Sequence, residues 1–230
     1  MLKKVIYTTA IPFLFAACAM MPDSGEREGR PVIERHTLKQ LRDQNVIKQE
    51  KDYSCGSAAL ATLLLYYFGE KTSEAEILGM LFDELTEEEK NNKTLKGFSL
   101  LDLKKVAERM GYRAAGFKLS VDQLMRLSAP VIVFVQPQGY KHFAVLRGMS
   151  GWGRVLLADP SRGNLRMSLE RFTDEYGGVV FVLGKAGEDT LKEYPLAIRP
   201  NGDYGQPEML RFNGQLDLGT FANVLPLRLR

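Results

Sequence analysis

A chain of 230 residues has room for one or two domains. Hydrophobic residues make up 45% and charged residues 26%, which excludes a disordered acidic tail, a collagen-like repeat and a disulfide-stapled miniprotein. The formal charge of +3 falls to +1 once Lys3 and Lys4 are set aside with an N-terminal leader, so no basic footprint for nucleic acid remains.

Residues 1–21 have the order of a secretory signal: Lys3-Lys4, an apolar run from Val5 to Ala17, then small residues around Cys18. The run is too short to span a membrane. Two cleavages are open. Phe15-Ala16-Ala17-Cys18 resembles a bacterial lipobox with Phe15 in place of leucine, whereas Ala17-Cys18-Ala19 suits the general signal peptidase. The expected location is the periplasm, either soluble or lipid-anchored to the outer membrane through Cys18. Either outcome leaves Cys55 as a lone thiol in an exported protein, a liability that calls for a purpose.

Residues 22–44 read as a linker, polar from Asp23 to Arg30. A domain over residues 45–185 follows. Tyr53-Ser54-Cys55-Gly56 opens an apolar helix that runs to Phe68, with Ser54 as its cap and Gly69 as its end. Ser73 and Glu76 form a capping box ahead of Ile77, Leu78, Leu81 and Phe82, which repeat at helical spacing. The charged stretch Glu84 to Lys96 reads as a solvated face or loop, and Ser99 to Met110 as an amphipathic helix ended by Gly111.

Beyond Tyr112 the pattern turns to strands. They are expected at Arg113–Leu119, Val131–Val135, His142–Leu146, Arg154–Ala158 and Val179–Leu183, with a short helix at Ser120–Leu127. Helices first and strands afterwards imply an α+β domain of two facing lobes. Residues 186–230 form a C-terminal extension, broken by Pro195, Pro200, Pro207 and Pro226 from Leu191 onward and without a legible role.

Four residues carry candidate chemistry. Cys55 falls in the first turn of a helix, where the dipole and unpaired N–H groups favour a thiolate, and Gly56 leaves room beside it for substrate. The competing interpretation is an inert buried thiol. His142 opens a strand, where an imidazole facing a helix-borne thiol can serve as its base; His36, the only other histidine, reads as a surface residue. Asp159 could hold an imidazole through Nδ1–H, or simply start the Asp159-Pro160 turn. Gln49 could aim its amide at a developing oxyanion beside the Cys55 N–H, or be an ordinary solvated side chain. Two histidines without an HExxH spacing offer little to a metal.

Taken together, Gln49-x5-Cys55-Gly56-x-Ala58-Ala59-Leu60, Pro130-Val131-Ile132-Val133, His142-Phe143-x-Val145-Leu146 and Asp159-Pro160-x-x-Gly163 resemble the C39 peptidases, which are papain-like and include the bacteriocin-leader peptidases. The resemblance covers about Lys48 to Leu183. It implies a two-lobed fold with the thiol on a helical lobe and the His and Asp on an antiparallel sheet lobe. It also implies Cys55 as nucleophile, His142 as general base and acid, Asp159 as its orienter and Gln49 as oxyanion donor, with no cofactor or metal. Many members have Asp before the Cys; this chain has Ser54.

The chain lacks a GxxxxGK[ST] phosphate loop and a polytopic segment, so it is not expected to be the fused transporter form. An exported stand-alone C39 protein resembles the peptidases that accompany bacterial functional-amyloid (Fap) secretion systems. That likeness implies a protein or peptide substrate, such as a secreted amyloid or its export component, and an outer-membrane association. The competing functions are a non-cleaving binding or chaperone module and a thiol acyltransferase.

Overall fold

Helix α2 (Cys55–Tyr66) is the centre of the computed structural model, which describes residues 37–198 apart from 84, 151, 152, 186, 188–190 and 192. The leader with Cys18, His36, most of the linker and the extension from residue 199 lie outside the described residues. Every residue of α2 from Cys55 to Leu64 is buried, which explains why its sequence is apolar all round rather than striped. The helix is shorter than expected, and Gly69 at φ +71° turns the chain after it.

Four further helices flank α2 in sequence: α1 (Leu38–Asp43), α3 (Glu74–Phe82), α4 (Glu87–Lys96) and α5 (Leu100–Arg109). The Ser73–Glu76 capping box is present, and Thr37–Gln40, Thr86–Glu89 and Ser99–Asp102 form the same reciprocal pairs. The charged stretch expected as a solvated face or loop is thus largely α4, a helix without a buried residue. Glu87 to Glu89 at its start and Lys93 and Lys96 at its end suit the helix dipole. Part of the expected linker is likewise α1.

The strands β1 (Arg113–Lys118), β2 (Val131–Val135), β3 (His142–Met149), β4 (Arg154–Asp159), β5 (Gly163–Ser168) and β6 (Tyr176–Gly184) form one antiparallel sheet in the order β1-β6-β2-β3-β4-β5. Short helices α6 (Val121–Leu124) and α7 (Leu169–Glu175) complete the described part. The α+β class follows directly, and both sheet faces are covered. Ile132, Val145, Ala158 and Phe181 pack with α2, α3 and α5. Val131, Val133, Val135, Leu157 and Val180 pack on the other face with Leu124 of α6 and Phe172 of α7. This two-sided burial makes β2 a continuous apolar run.

Two glycines mark close approaches. At Gly163 (φ +82°) a Cβ would lie 2.6 Å from the Arg42 carbonyl oxygen and 2.7 Å from Asp43 Oδ1, so only glycine lets the end of α1 rest on the start of β5. Gly177 lies directly under the Phe134 ring, which leaves no space for a Cβ. The first residues of the expected extension are docked. Leu196 is fully buried, Tyr194 packs edge-on against Tyr67, and Arg147 donates to the carbonyls of Leu196 and Ala197.

Candidate active site

Antiparallel pairing of β3 and β4 sets the first vertex of the site. His142 begins β3 and Asp159 ends β4, so the two meet at one end of the sheet. His142 Nε2 lies 3.1 Å from Asp159 Oδ1, both side chains being buried. The contact uses Nε2, not the Nδ1 expected from sequence, because the aspartate approaches along the neighbouring strand. The remaining ring nitrogen is free to meet a thiol.

Asp159 is also the acceptor of a tight turn. Its Oδ1 receives the backbone N–H groups of Ser161 at 2.8 Å and Arg162 at 2.9 Å and the Ser161 hydroxyl at 2.8 Å. Its Oδ2 receives a hydrogen bond from Arg162 Nε at 2.9 Å and is ion-paired with the same guanidinium, whose Nη2 lies 2.8 Å away without a hydrogen bond. The two alternatives for Asp159, imidazole partner and turn starter, therefore hold together in one carboxylate. Arg162 is the functional neighbour that sequence reasoning passed over. The signal was there, in a cation three residues after an aspartate across a Pro-Ser turn.

Burial opposes charge on both partners, yet their mutual interaction outweighs it. Desolvation alone would lower the His142 pKa; the hydrogen bonds and negative charge offered by Asp159 and Cys55 instead push it up to about 9. Desolvation alone would raise Asp159, but His142 and Arg162 hold its carboxyl far below the usual carboxylate range. An imidazolium beside a carboxylate is the stable form of this pair near neutrality.

Cys55 enters from the helical layer. Its thiol, on the first residue of α2, is 9% exposed and within hydrogen-bonding reach of His142. Ser54 does not cap this helix. Its backbone (φ −100°, ψ 10°) is not in the extended conformation of a capping residue, and its hydroxyl donates back to the Lys51 carbonyl at 2.7 Å. No acidic residue occupies the first turn either, so the positive end of the helix dipole faces Cys55 without a competing side chain. Gly56 has a different role from the one expected. A Cβ there would meet Leu103 at 3.2 Å and Phe143 at 3.4 Å, so the glycine lets α2 pack closely on α5 and β3 rather than opening space for substrate.

Gln49 is tied to the same corner. Its backbone N–H donates to the Pro160 carbonyl at 3.0 Å, and its Nε2 donates to the Lys51 carbonyl at 2.9 Å. That carbonyl fixes which way the amide faces, since the flipped amide would oppose two oxygens. One amide hydrogen is used on Lys51 and the second is available. Oε1 is buried without a hydrogen-bond partner.

The family model for the peptidase C39 family matches residues 43–188. Among curated proteins, the chain is similar to the probable functional amyloid protease FapD of Pseudomonas fluorescens, 37% identical over 155 residues, covering 66% of each chain. The protein of the same name from Pseudomonas aeruginosa is 36% identical over 182 residues, covering 79% of this chain and 74% of that relative. Among solved structures, the peptidase domain of Streptococcus ComA aligns with a TM-score of 0.51 at 23% identity, covering 61% of this chain and 97% of that one. A double glycine motif protease from an AMS/PCAT transporter, solved with its leader peptide, aligns with a TM-score of 0.50 at 23% identity, covering 62% and 94%. The chain shares the fold of these peptidase domains.

Proposed function

Because the chain belongs to the peptidase C39 family of cysteine peptidases, we propose that it cleaves a protein or leader peptide in the bacterial cell envelope, using Cys55, His142 and Asp159. The Cys55 sulfur attacks the scissile carbonyl as a thiolate, its proton held by His142. The imidazolium then protonates the leaving amine, and the thioester remains. His142 next takes a proton from water, which attacks the thioester and frees the acid and the thiol. Asp159 keeps the imidazole oriented and stabilises its charge throughout. The Cys55 N–H and the second amide hydrogen of Gln49 donate to the tetrahedral oxyanion.

The single observation that carries this proposal is the buried His142–Asp159 bond beside a thiol on an uncapped helix start. The turn bonds explain why Asp159 is buried, but they do not call for an imidazole placed between that carboxylate and a thiol. The substrate we infer is a protein of a functional-amyloid secretion system, supported by the names of the two Pseudomonas relatives. We also infer export, with the mature chain in the periplasm and Cys18 as the candidate lipid anchor. Intact mass of protein from membrane and soluble fractions distinguishes a diacylglyceryl Cys18 from simple cleavage.

The deciding experiment incubates purified protein, and its Cys55→Ala variant, with purified functional-amyloid subunits and export components. Hydrolysis products that vanish with Cys55→Ala establish the peptidase. A product carrying an amine acceptor in place of water identifies an acyltransferase. A Cys55→Ala strain that behaves as wild type in every deletion phenotype leaves only a binding role.

A further inference from the structure

Two consecutive carbonyls, of Lys51 and Asp52, gather hydrogen bonds from every side of the site. The Lys51 carbonyl receives Gln49 Nε2 at 2.9 Å, the Ser54 hydroxyl at 2.7 Å and the Ser54 N–H at 3.1 Å. The Asp52 carbonyl receives the Tyr140 hydroxyl at 3.3 Å. Lys51 and Asp52 lead into Cys55, whereas Tyr140 stands two residues before His142. Tyr140 thus bonds the strand side of the site to the helix side.

The loop that carries Tyr140 is shaped to deliver it. Gln138 (φ 53°) and Gly139 (φ +81°) are consecutive left-handed residues, the first of them costly for a side chain. The Tyr140 N–H closes the turn on the Pro137 carbonyl at 3.0 Å. The ring stays 57% exposed and lies tilted by 37° against the His142 ring, with centroids 6.5 Å apart. An exposed aromatic, held by a strained turn against a backbone carbonyl, is poorly explained by packing alone.

We propose that Tyr140 is a positioning residue. Its hydroxyl clasps the His142 loop to the Lys51–Asp52 turn and so holds the imidazole in register with the Cys55 sulfur, while its exposed ring forms a wall beside the imidazole against which substrate lies. This rests on the proposed Cys55–His142 chemistry. The ring takes an extended peptide segment alongside His142; the hydroxyl sets the geometry.

The test separates the two roles and separates this proposal from the one beneath it. Tyr140→Phe keeps the ring and loses the clasp; Tyr140→Ala loses both. Rates of iodoacetamide alkylation at Cys55 are measured from pH 5 to 10 for wild type, both Tyr140 variants and His142→Gln, with circular dichroism as the check on folding. Wild type, with its imidazole in place, and His142→Gln, without it, set the two reference profiles. Tyr140→Phe is expected to move the profile toward that of His142→Gln and to lower kcat about tenfold with KM unchanged, the scale of a small misalignment. Tyr140→Ala is expected to raise KM in addition. A Tyr140→Phe enzyme with wild-type kcat and alkylation profile overturns the clasp. A Tyr140→Ala enzyme with unchanged KM overturns the wall. If His142→Gln leaves the alkylation profile unmoved, the thiol–imidazole pair itself is refuted.

Discussion

His142 turns Nε2 to Asp159 at 3.1 Å and has the Cys55 thiol as its second polar partner. The order of contacts along the line thiol, imidazole and carboxylate follows from where each sits: one at a helix start, two at one end of an antiparallel strand pair. Each member of the line has its own measurable consequence.

Replacing Cys55 by Ala is expected to reduce peptide hydrolysis to background, a loss of about 10⁴-fold or more, without unfolding the chain, since alanine suits a helix first turn. Turnover with a defined substrate and a thermal melt, run together, check both halves. Retained turnover would remove the nucleophile.

The imidazole predicts an alkaline limit. His142 has its pKa raised in the folded protein from 6.5 to about 9, chiefly by its partners overcoming burial. The stabilisation it contributes is therefore complete below the unfolded value and is lost as pH rises through about 9. The same deprotonation dissolves the ion pair, so kcat/KM should fall along a limb near pH 9. In His142→Gln that limb disappears and activity drops by about 10²–10⁴-fold.

Asp159 predicts the opposite side. Its folded pKa lies far below that of an unfolded aspartate, so the stability it supplies is present above about pH 4 and lost as pH falls through the folded value. Urea melts of wild type and Asp159→Asn should differ most near neutral pH and converge in strong acid. Equal stability of the two at neutral pH would contradict this.

Arg162, 30% exposed, places its guanidinium on Asp159 Oδ2 and helps hold that carboxyl ionised. Arg162→Gln should move the acid limb of both stability and activity to higher pH, while the two backbone N–H groups on Oδ1 keep the turn intact. Superimposable acid limbs would show the guanidinium to be a bystander.

Gly163→Ala should cost about 1–3 kcal/mol, from the left-handed backbone of that position and from the clash with the Arg42 carbonyl. Limited proteolysis should then cut first at α1, the element displaced. A variant as stable and as protease-resistant as wild type would argue against this packing.

Much of the fold was legible because its signals are local. The capping box at Ser73 and the amphipathic period after Ser99 announce helices, and β2 is apolar enough to be read to its last residue. The elements that escaped lack the second half of that signal. Helices α1 and α4 have capping boxes at Thr37 and Thr86 but bury nothing, so no apolar period follows the cap. Strand β5 alternates with Asn164 and Arg166, and the first half of β6 holds Gly177, which reads as a strand breaker until the Phe134 ring is seen above it.

For the site, residue types and their order pointed to Cys55, His142, Asp159 and Gln49, and the structure gathers all four around one corner. What could not be read was direction: which imidazole nitrogen faces the carboxylate, that Ser54 turns away from the helix it precedes, that Gly56 serves packing, that Arg162 and Tyr140 belong to the site at all.

By itself the amino-acid order determined the local structure, meaning helix starts, buried runs and turns, together with a thiol at a helix start and an imidazole at a strand start. Those properties depend on neighbours a few residues apart, whose interactions are written in adjacent side chains. The tertiary structure alone decided which distant groups touch. Strand register brings Asp159 to His142, and the packing of α2 on β3 brings the sulfur to the ring. Such contacts depend on how whole layers stack, and no local pattern encodes that.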